Sequence, residues 1–260
     1  MIIDIHSHLI PGVDDGAQTL AESIKLAKLG YQEGVRHIVL TPHHRNGQFV
    51  NRKKDVLKYA EDLNLAYQKA RIPIQVYPSQ EIRLTEDFLE DYFSDQLLSL
   101  DAAGRYYLIE FPTLKLPTFT DQLIDQLVSM GLTPVIAHPE RNHELAENYD
   151  RLYELVEKGC LSQITSSSYI GLYGSKLQEA GRDMIRLNLA HVIASDVHHI
   201  EYRPFNMKKA FQQLESEFGE AHVAYFKNNA KDILNGDPVQ AKSPIQQHTK
   251  KKKKRFFGLF

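Results

Sequence analysis

Cysteine is almost absent from this 260-residue chain, and the single one, Cys160, can form no internal disulfide. That suits a reducing compartment. Long apolar runs are missing too, since no stretch reaches the roughly 18 apolar residues that a membrane-spanning helix needs. The opening residues, MIIDIHSH, lack the basic end and apolar stretch of a secretory signal, so the expected location is the cytoplasm. There is no strong excess of either charge: the formal net is −2, with 25% charged and 42% hydrophobic residues, as in an ordinary globular protein. The lone thiol also argues against one kind of phosphate chemistry. A cysteine nucleophile of that kind is followed six positions later by an arginine that cradles the phosphate, and in CLSQITS Ser166 stands there. Cys160 is expected instead as a small apolar residue opening a buried strand.

What the chain does have is histidine and acid in chosen places. Residues 4–8 read DIHSH. In an extended strand His6 and His8 point to one side while Ile5 and Ser7 point to the other, so two imidazoles stand together. Seven short runs carry strand character: MIIDI, HIVLT, IQVYP, YYLIEF, TPVIA, LSQIT and HVIAS. Segments of helical period separate them, which predicts repeated βα units around a parallel sheet, in one domain at this length. Thr19 followed by Glu22 predicts a capping box, with Gly34 as the stop. Pro117 and Thr118 precede a helix whose Leu123, Leu127 and Met130 form one stripe, ending at Gly131.

Six of the seven runs lead into His, Asp or Glu: His6 and His8, then His43, Glu81, Glu110, His138, and finally Asp196 with His198. The sixth leads instead into Thr165 and a serine run. In a parallel α/β barrel all strand C-termini meet on one face, so these distant residues converge. Such a cluster, with one carboxylate added from Asp14 or Asp15, is intolerable without compensation, because the acids repel one another and the imidazoles lose water. Bound divalent cations remove the problem. Mixed imidazole and carboxylate donors suit manganese, iron or zinc, and a sulfur-rich zinc site is excluded. Other features have plainer readings. His44 and His199 follow candidate ligands and are expected to face away, while His37, His143, His191, His222 and His248 read as strand-end or surface residues. GLYGSK lacks phosphate-loop spacing and reads as a loop.

The set DIHSHLIPGVDDG, TPHH, AHPERN and ASDVH resembles the PHP (polymerase and histidinol phosphatase) superfamily. Within it the chain is similar to the tyrosine-protein phosphatases of bacterial capsule and exopolysaccharide operons. The likeness spans roughly residues 1–235. It implies a distorted (β/α)7 TIM-like barrel holding three divalent ions, manganese before iron or zinc. By position it implies His6, His8, Asp15, His43, Glu81, Glu110, His138, Asp196 and His198 as ligands, with Asp14 capping the turn at Gly16. Arg141 and Arg203 are implied as phosphate binders, for which a guanidinium is chemically apt. A surface salt bridge is the alternative for Arg203. The implied reaction is in-line attack of a metal-bridging hydroxide on the phosphorus of a phosphotyrosine protein, expected to be a membrane-associated bacterial tyrosine kinase that controls polysaccharide synthesis. No unencumbered general acid is visible, since His43 and His198 are both candidate ligands. Two alternatives stay open: a phosphatase of a small metabolite such as histidinol phosphate, and a regulator that grips phosphotyrosine without cleaving it.

Charge is unevenly placed. Residues 236–260 hold seven Lys and Arg against one Asp, a net of +6, so residues 1–235 carry a net of −8. The segment after Gly236 reads as a flexible linker and ends in KKKKKRFFGLF. Six consecutive cations beside Phe256, Phe257, Leu259 and Phe260 suggest peripheral contact of residues 250–260 with anionic lipid, at the inner face of the membrane. Nucleic acid is not an expected partner, because the body is acidic and no helix shows a basic stripe.

Overall fold

The computed structural model describes residues 1–247; the basic and aromatic tail lies outside them. Nine strands occur among the described residues: β1 (Ile2–Ser7), β2 (Val35–Leu40), β3 (His43–His44), β4 (Gln75–Pro78), β5 (Glu81–Arg83), β6 (Tyr106–Glu110), β7 (Thr133–Ala137), β8 (Leu161–Thr165) and β9 (Val192–Ala194). All pair in parallel. They make two sheets, of order β1-β2-β4 and β3-β5-β6-β7-β8-β9. The seven expected runs are all present. The two additions are short continuations, β3 of β2 and β5 of β4, each after a break that lets the chain pass from the first sheet to the second. Backbone bonds from Ser79 N to Leu40 O and from Glu81 N to Pro42 O span those breaks. At the other edge, the end of β1 meets the chain beyond β9 through a Ser7–Val197 bridge. The fold is thus mixed α/β with parallel strands, divided where one sheet was expected.

Alternation along the strands sorts their side chains into two apolar clusters. Leu108, Val135, Ala137, Leu161, Val192 and Ala194 join Ile3, Ile5 and Val39 in a smaller one, with Ala230 and Ile233 from the last helix, Glu220–Asn235. Ile109, Ile136, Ile164 and Ile193, one residue out of phase, belong to the larger cluster beside helix residues such as Leu26, Leu63, Leu123 and Leu152. The inner rows change character at their C-terminal ends. Tyr106 and Leu108 lead to Glu110, and Leu161 leads to Gln163, so the sheet face that is oily at one end becomes ionic at the other.

The helix Leu20–Gln32 begins as expected, with the Thr19 side chain accepting from Glu22 N. Glu22 Oε2 in turn accepts from Gln18 N at 3.0 Å, one residue before the N-cap. In the helix Thr120–Ser129, Leu123 and Leu127 are buried as predicted, but Ile124 completes the stripe. Met130 falls at the C-cap, where the helix has ended, and is 37% exposed. Residues 237–245 form no helix or strand, yet they are held along the end where the strands begin. Tyr106 Oη donates to Asp237 O at 2.6 Å, Val239 N donates to Tyr106 Oη at 3.1 Å, and Ile245 N to Leu187 O at 2.8 Å. Composition suggested a flexible linker; the partners that fix this stretch are remote in sequence. No described helix is long and apolar enough to cross a membrane.

Candidate metal centre

Glu81, at the start of β5 and fully buried, is the hub. Its Oε2 lies 2.8 Å from His43 Nδ1 and 3.4 Å from Nε2 of both His6 and His8. Its Oε1 lies 2.8 Å from His138 Nε2. Asp196 closes the cluster from the other side, with Oδ1 at 3.3 Å from His6 Nε2 and 3.4 Å from His8 Nε2. Asp15, half exposed, places Oδ1 at 3.3 Å from Nε2 of both His43 and His198. Glu110 Oε2 stands 3.9 Å from His43 Nδ1. Every residue that the sequence nominated as a ligand is therefore in one cluster. His6 and His8 share a side as the alternation required, their Nε2 atoms 3.2 Å apart.

Local structure aims these side chains. Gln163 Oε1 accepts from His6 Nδ1 at 2.8 Å, and Asp14 Oδ2 accepts from His8 Nδ1 at 2.7 Å, so each ring turns its Nε2 inward. Asp14 does cap the turn, taking Gly16 N on Oδ1, but it also takes His43 N on Oδ2 at 3.2 Å. Gly16 is required by closeness: a Cβ there would lie 2.1 Å from the His8 carbonyl oxygen. His138 and Asp196 have φ of 34° and 52°, left-handed conformations in which each turns sharply off its strand. Gln163 and Arg83 are site residues that sequence reading missed. Arg83 donates to Glu110 Oε2 from Nε at 3.1 Å and approaches it with NH2 at 2.9 Å. The available signal was its place two residues after Glu81 on one strand, hence on one face. His44 is buried and turned towards Asp91, 3.9 Å away, outside the cluster.

Both nominated arginines reach the cluster. Arg141 and Arg203 donate to the same oxygen of Asp196, Arg203 at 2.6 Å, and Arg203 also approaches Asp15 at 3.6 Å. Burial opposes charge throughout, yet Arg203, His6 and Arg141 hold Asp196 well below the usual carboxylate range. The imidazoles of His43 and His6 do the same for Glu81. Burial would lower His43, but Glu81 and Asp15 hold it up at about 10. His198, buried beside His8, and His138, buried beside Arg141, both fall to about 4. Burial and the Glu81 charge push Glu110 up to about 7.

The donors fall into three overlapping groups: His8, Asp15, His43 and His198; His6, His8 and Glu81; and His43, Glu81 and Glu110, with the ligating atoms of each group within 4.8 Å of one another. His43 Nδ1, Glu81 Oε2, Asp196 Oδ1 and His198 Nε2 are buried and, for all the short contacts among them, none makes a well-directed hydrogen bond. Unpartnered donor atoms of nitrogen and oxygen, packed against anionic carboxylates, fit divalent cations of hard or borderline character.

Known proteins resemble the chain along its whole length. Tyrosine-protein phosphatase YwqE of Bacillus subtilis is 41% identical over 261 residues, covering both chains fully. The putative tyrosine-protein phosphatase CapC of Staphylococcus aureus is 36% identical, covering 99% of this chain and 100% of its own. A chain from the crystal structures of YwqE and of CpsB from Streptococcus pneumoniae, described as unique metal-dependent tyrosine phosphatases, superposes with a TM-score of 0.92. It is 41% identical and covers 95% of this chain and 100% of that one. Residues 2–235 match the family described as Capsular polysaccharide synthesis, CpsB/CapC. The chain, with its acid-and-imidazole cluster at the strand ends, belongs to the CpsB/CapC family.

Proposed function

We propose that this chain is a metal-dependent protein-tyrosine phosphatase acting in capsular or exopolysaccharide synthesis. The observation that carries the reading is the convergence of four imidazoles on the buried Glu81 carboxylate, with unpartnered donor atoms around it. The proposed ligands are His6, His8, Asp15, His43, Glu81, Glu110, His138, Asp196 and His198. Three overlapping donor groups support three ions, for which manganese is the first choice. Bound there, the cations supply a water activated near neutral pH and neutralise charge growing on the phosphoryl oxygens.

The chain's own residues do the rest. Arg141 and Arg203 already meet at one carboxylate oxygen, so both guanidinium groups can turn from Asp196 to the oxygens of a phosphate seated above it. Gln163 and Asp14 keep the rings of His6 and His8 in one orientation. A tyrosine leaving group, with a pKa near 10, departs with less help from an acid than an alkyl alcohol needs. The catalytic unit is residues 1–235, a distorted (β/α)7 barrel whose two sheets are joined by the continuing strands and the Ser7–Val197 bridge. Its protein substrate is a membrane-associated tyrosine kinase on the cytoplasmic side, with residues 250–260 contacting anionic lipid.

Elemental analysis of the purified protein, with phosphatase assays before and after manganese is restored, tests the reading. Hydrolysis of a phosphotyrosine peptide should need the metal, exceed that of histidinol phosphate, and fall about 10²-fold or more in Arg141→Ala with metal content unchanged. Full activity in rigorously metal-free protein refutes it. Faster turnover of histidinol phosphate makes this a metabolite phosphatase, and a stable phosphopeptide complex without phosphate release makes it a binding regulator. For the tail, sedimentation with anionic vesicles should distinguish the full chain from one ending at Thr249; equal binding discards the lipid contact.

A further inference from the structure

The segment after β3 is built with more care than a connecting loop needs. Arg45 adopts a φ of 62° and Gly47 one of 93°, closing a tight turn in which Arg45 N donates to Phe49 O at 3.0 Å. The Asn46 side chain accepts from Gln48 N and Phe49 N at 3.1 and 2.9 Å, and Val50 returns to bridge His44. Both ends are anchored. Arg45 holds Asp91 through two nitrogens at 2.5 and 2.7 Å, while Asn51 donates to the carbonyls of His43 and Val13 at 2.8 and 3.2 Å. Gln80, immediately before Glu81, donates to Asn51 O at 2.6 Å, tying the loop to the strand that bears the hub.

This framework delivers an aromatic ring to the edge of the centre. The Phe49 ring lies nearly parallel to the His43 imidazole, with planes 9° apart and centroids 6.2 Å apart. It is partly exposed, and the same His43 imidazole approaches the half-exposed Asp15 through its Nε2. Asp15, Arg83, Arg141 and Arg203 supply charge there; Leu114, Leu172 and Tyr202 are exposed on the loops after β6, β8 and β9, but among the described residues Phe49 is the one whose ring stacks against an imidazole of the cluster. A phosphate needs only those charges; a phenyl ring attached to it needs an apolar face.

We infer that Phe49 is a specificity-determining residue, which receives the aryl group of the phosphate ester while the polar cluster holds its phosphate. The inference rests on the phosphatase reading and deepens it, since it accounts for a preference for aryl over alkyl phosphates through contact with the leaving group. Offset or edge-on packing of two such rings needs a rigid platform to be selective, and the double anchoring of the turn supplies one.

Competitive inhibition of the manganese-loaded full chain by phenylphosphonate and by methylphosphonate tests this without relying on turnover of a poor substrate. In Phe49→Ala the inhibition constant for phenylphosphonate should rise about tenfold, from the lost ring contact, while that for methylphosphonate stays within about twofold. Phe49→Tyr should keep the wild-type ratio, and Phe49→Leu, which keeps apolar bulk, should fall between. Bound manganese, measured by elemental analysis, should be the same in all four proteins. Equal weakening of both inhibitors, no change in either, or loss of manganese from the alanine and leucine variants would each overturn the inference. A wild-type chain that neither hydrolyses phosphotyrosine peptide nor binds either phosphonate would instead overturn the phosphatase reading beneath it.

Discussion

The two ends of the strands treat buried polar atoms in opposite ways. Where the strands begin, such groups are mostly answered by backbone. Asp101 accepts from Arg105 N and Tyr106 N, the latter at 2.8 Å, and the Tyr106 hydroxyl takes part in two bonds to residues 237–239. Where the strands end, carboxylates and imidazoles face one another with donor atoms left over. Size does not mark the difference. A groove of about 830 Å³, lined by Arg36, His37, Asn64 and Gln75, lies near the starts of β2 and β4, whereas the cavity beside Glu110, His138 and Arg141 holds about 60 Å³. What separates the two is that unmet polar atoms gather beside the small cavity, whereas the roomier hollow is lined by none.

The contrast can be broken most severely at Glu81. In Glu81→Gln a neutral amide of the same size replaces the charge that four imidazoles face, so turnover of phosphotyrosine peptide should drop on the order of 10³-fold and retained manganese should fall with it. Wild-type turnover and metal content would mean that the hub is only structural.

His191 tests the other end. It is fully buried, with Nδ1 accepting from Ser162 N at 3.1 Å and Nε2 unpartnered, and burial lowers its pKa from 6.5 to about 4. The unfolded chain therefore binds a proton that the folded chain refuses, so stability is full above pH 6.5 and is lost as pH falls towards 4. Denaturant titration should find that wild type loses about 3 kcal/mol more than His191→Gln between pH 7 and pH 4. Equal losses would place the acid sensitivity entirely in the ionic end. The smallest effect belongs to Cys160, buried among apolar neighbours with its thiol pushed up to about 12. Alkylating reagents should leave the folded protein's phosphatase activity unchanged and label Cys160 only after denaturation; inactivation of folded protein would return thiol chemistry to consideration.

Much of this contrast was legible before any coordinates. The seven strand runs coincide with β1, β2, β4 and β6 to β9 to within about two residues, because each combines β-branched or aromatic residues with clear flanking turns. β3 and β5 were not separable, since two or three residues show no period, and their existence depends on pairing partners rather than on their own side chains. The ionic end could be anticipated because His, Asp and Glu at strand ends are conspicuous. Its supports could not. Gln163 is an ordinary polar residue until His6 is found opposite it, and Phe49 looks like any loop aromatic until its ring is seen beside His43. The hold on residues 237–245 comes from Tyr106 and Leu187, far away in the chain, where composition has nothing to say.

The left-handed backbone of His138 and Asp196 has a corollary. Glycine would sit at either position with less conformational penalty, by about 1 kcal/mol, but it brings no donor atom. It would also strip Glu81 of its His138 contact, or leave Arg141 and Arg203 without their shared carboxylate, a loss that outweighs the backbone relief. At these two positions backbone comfort and a complete ionic cluster therefore pull in opposite directions, and the cluster prevails.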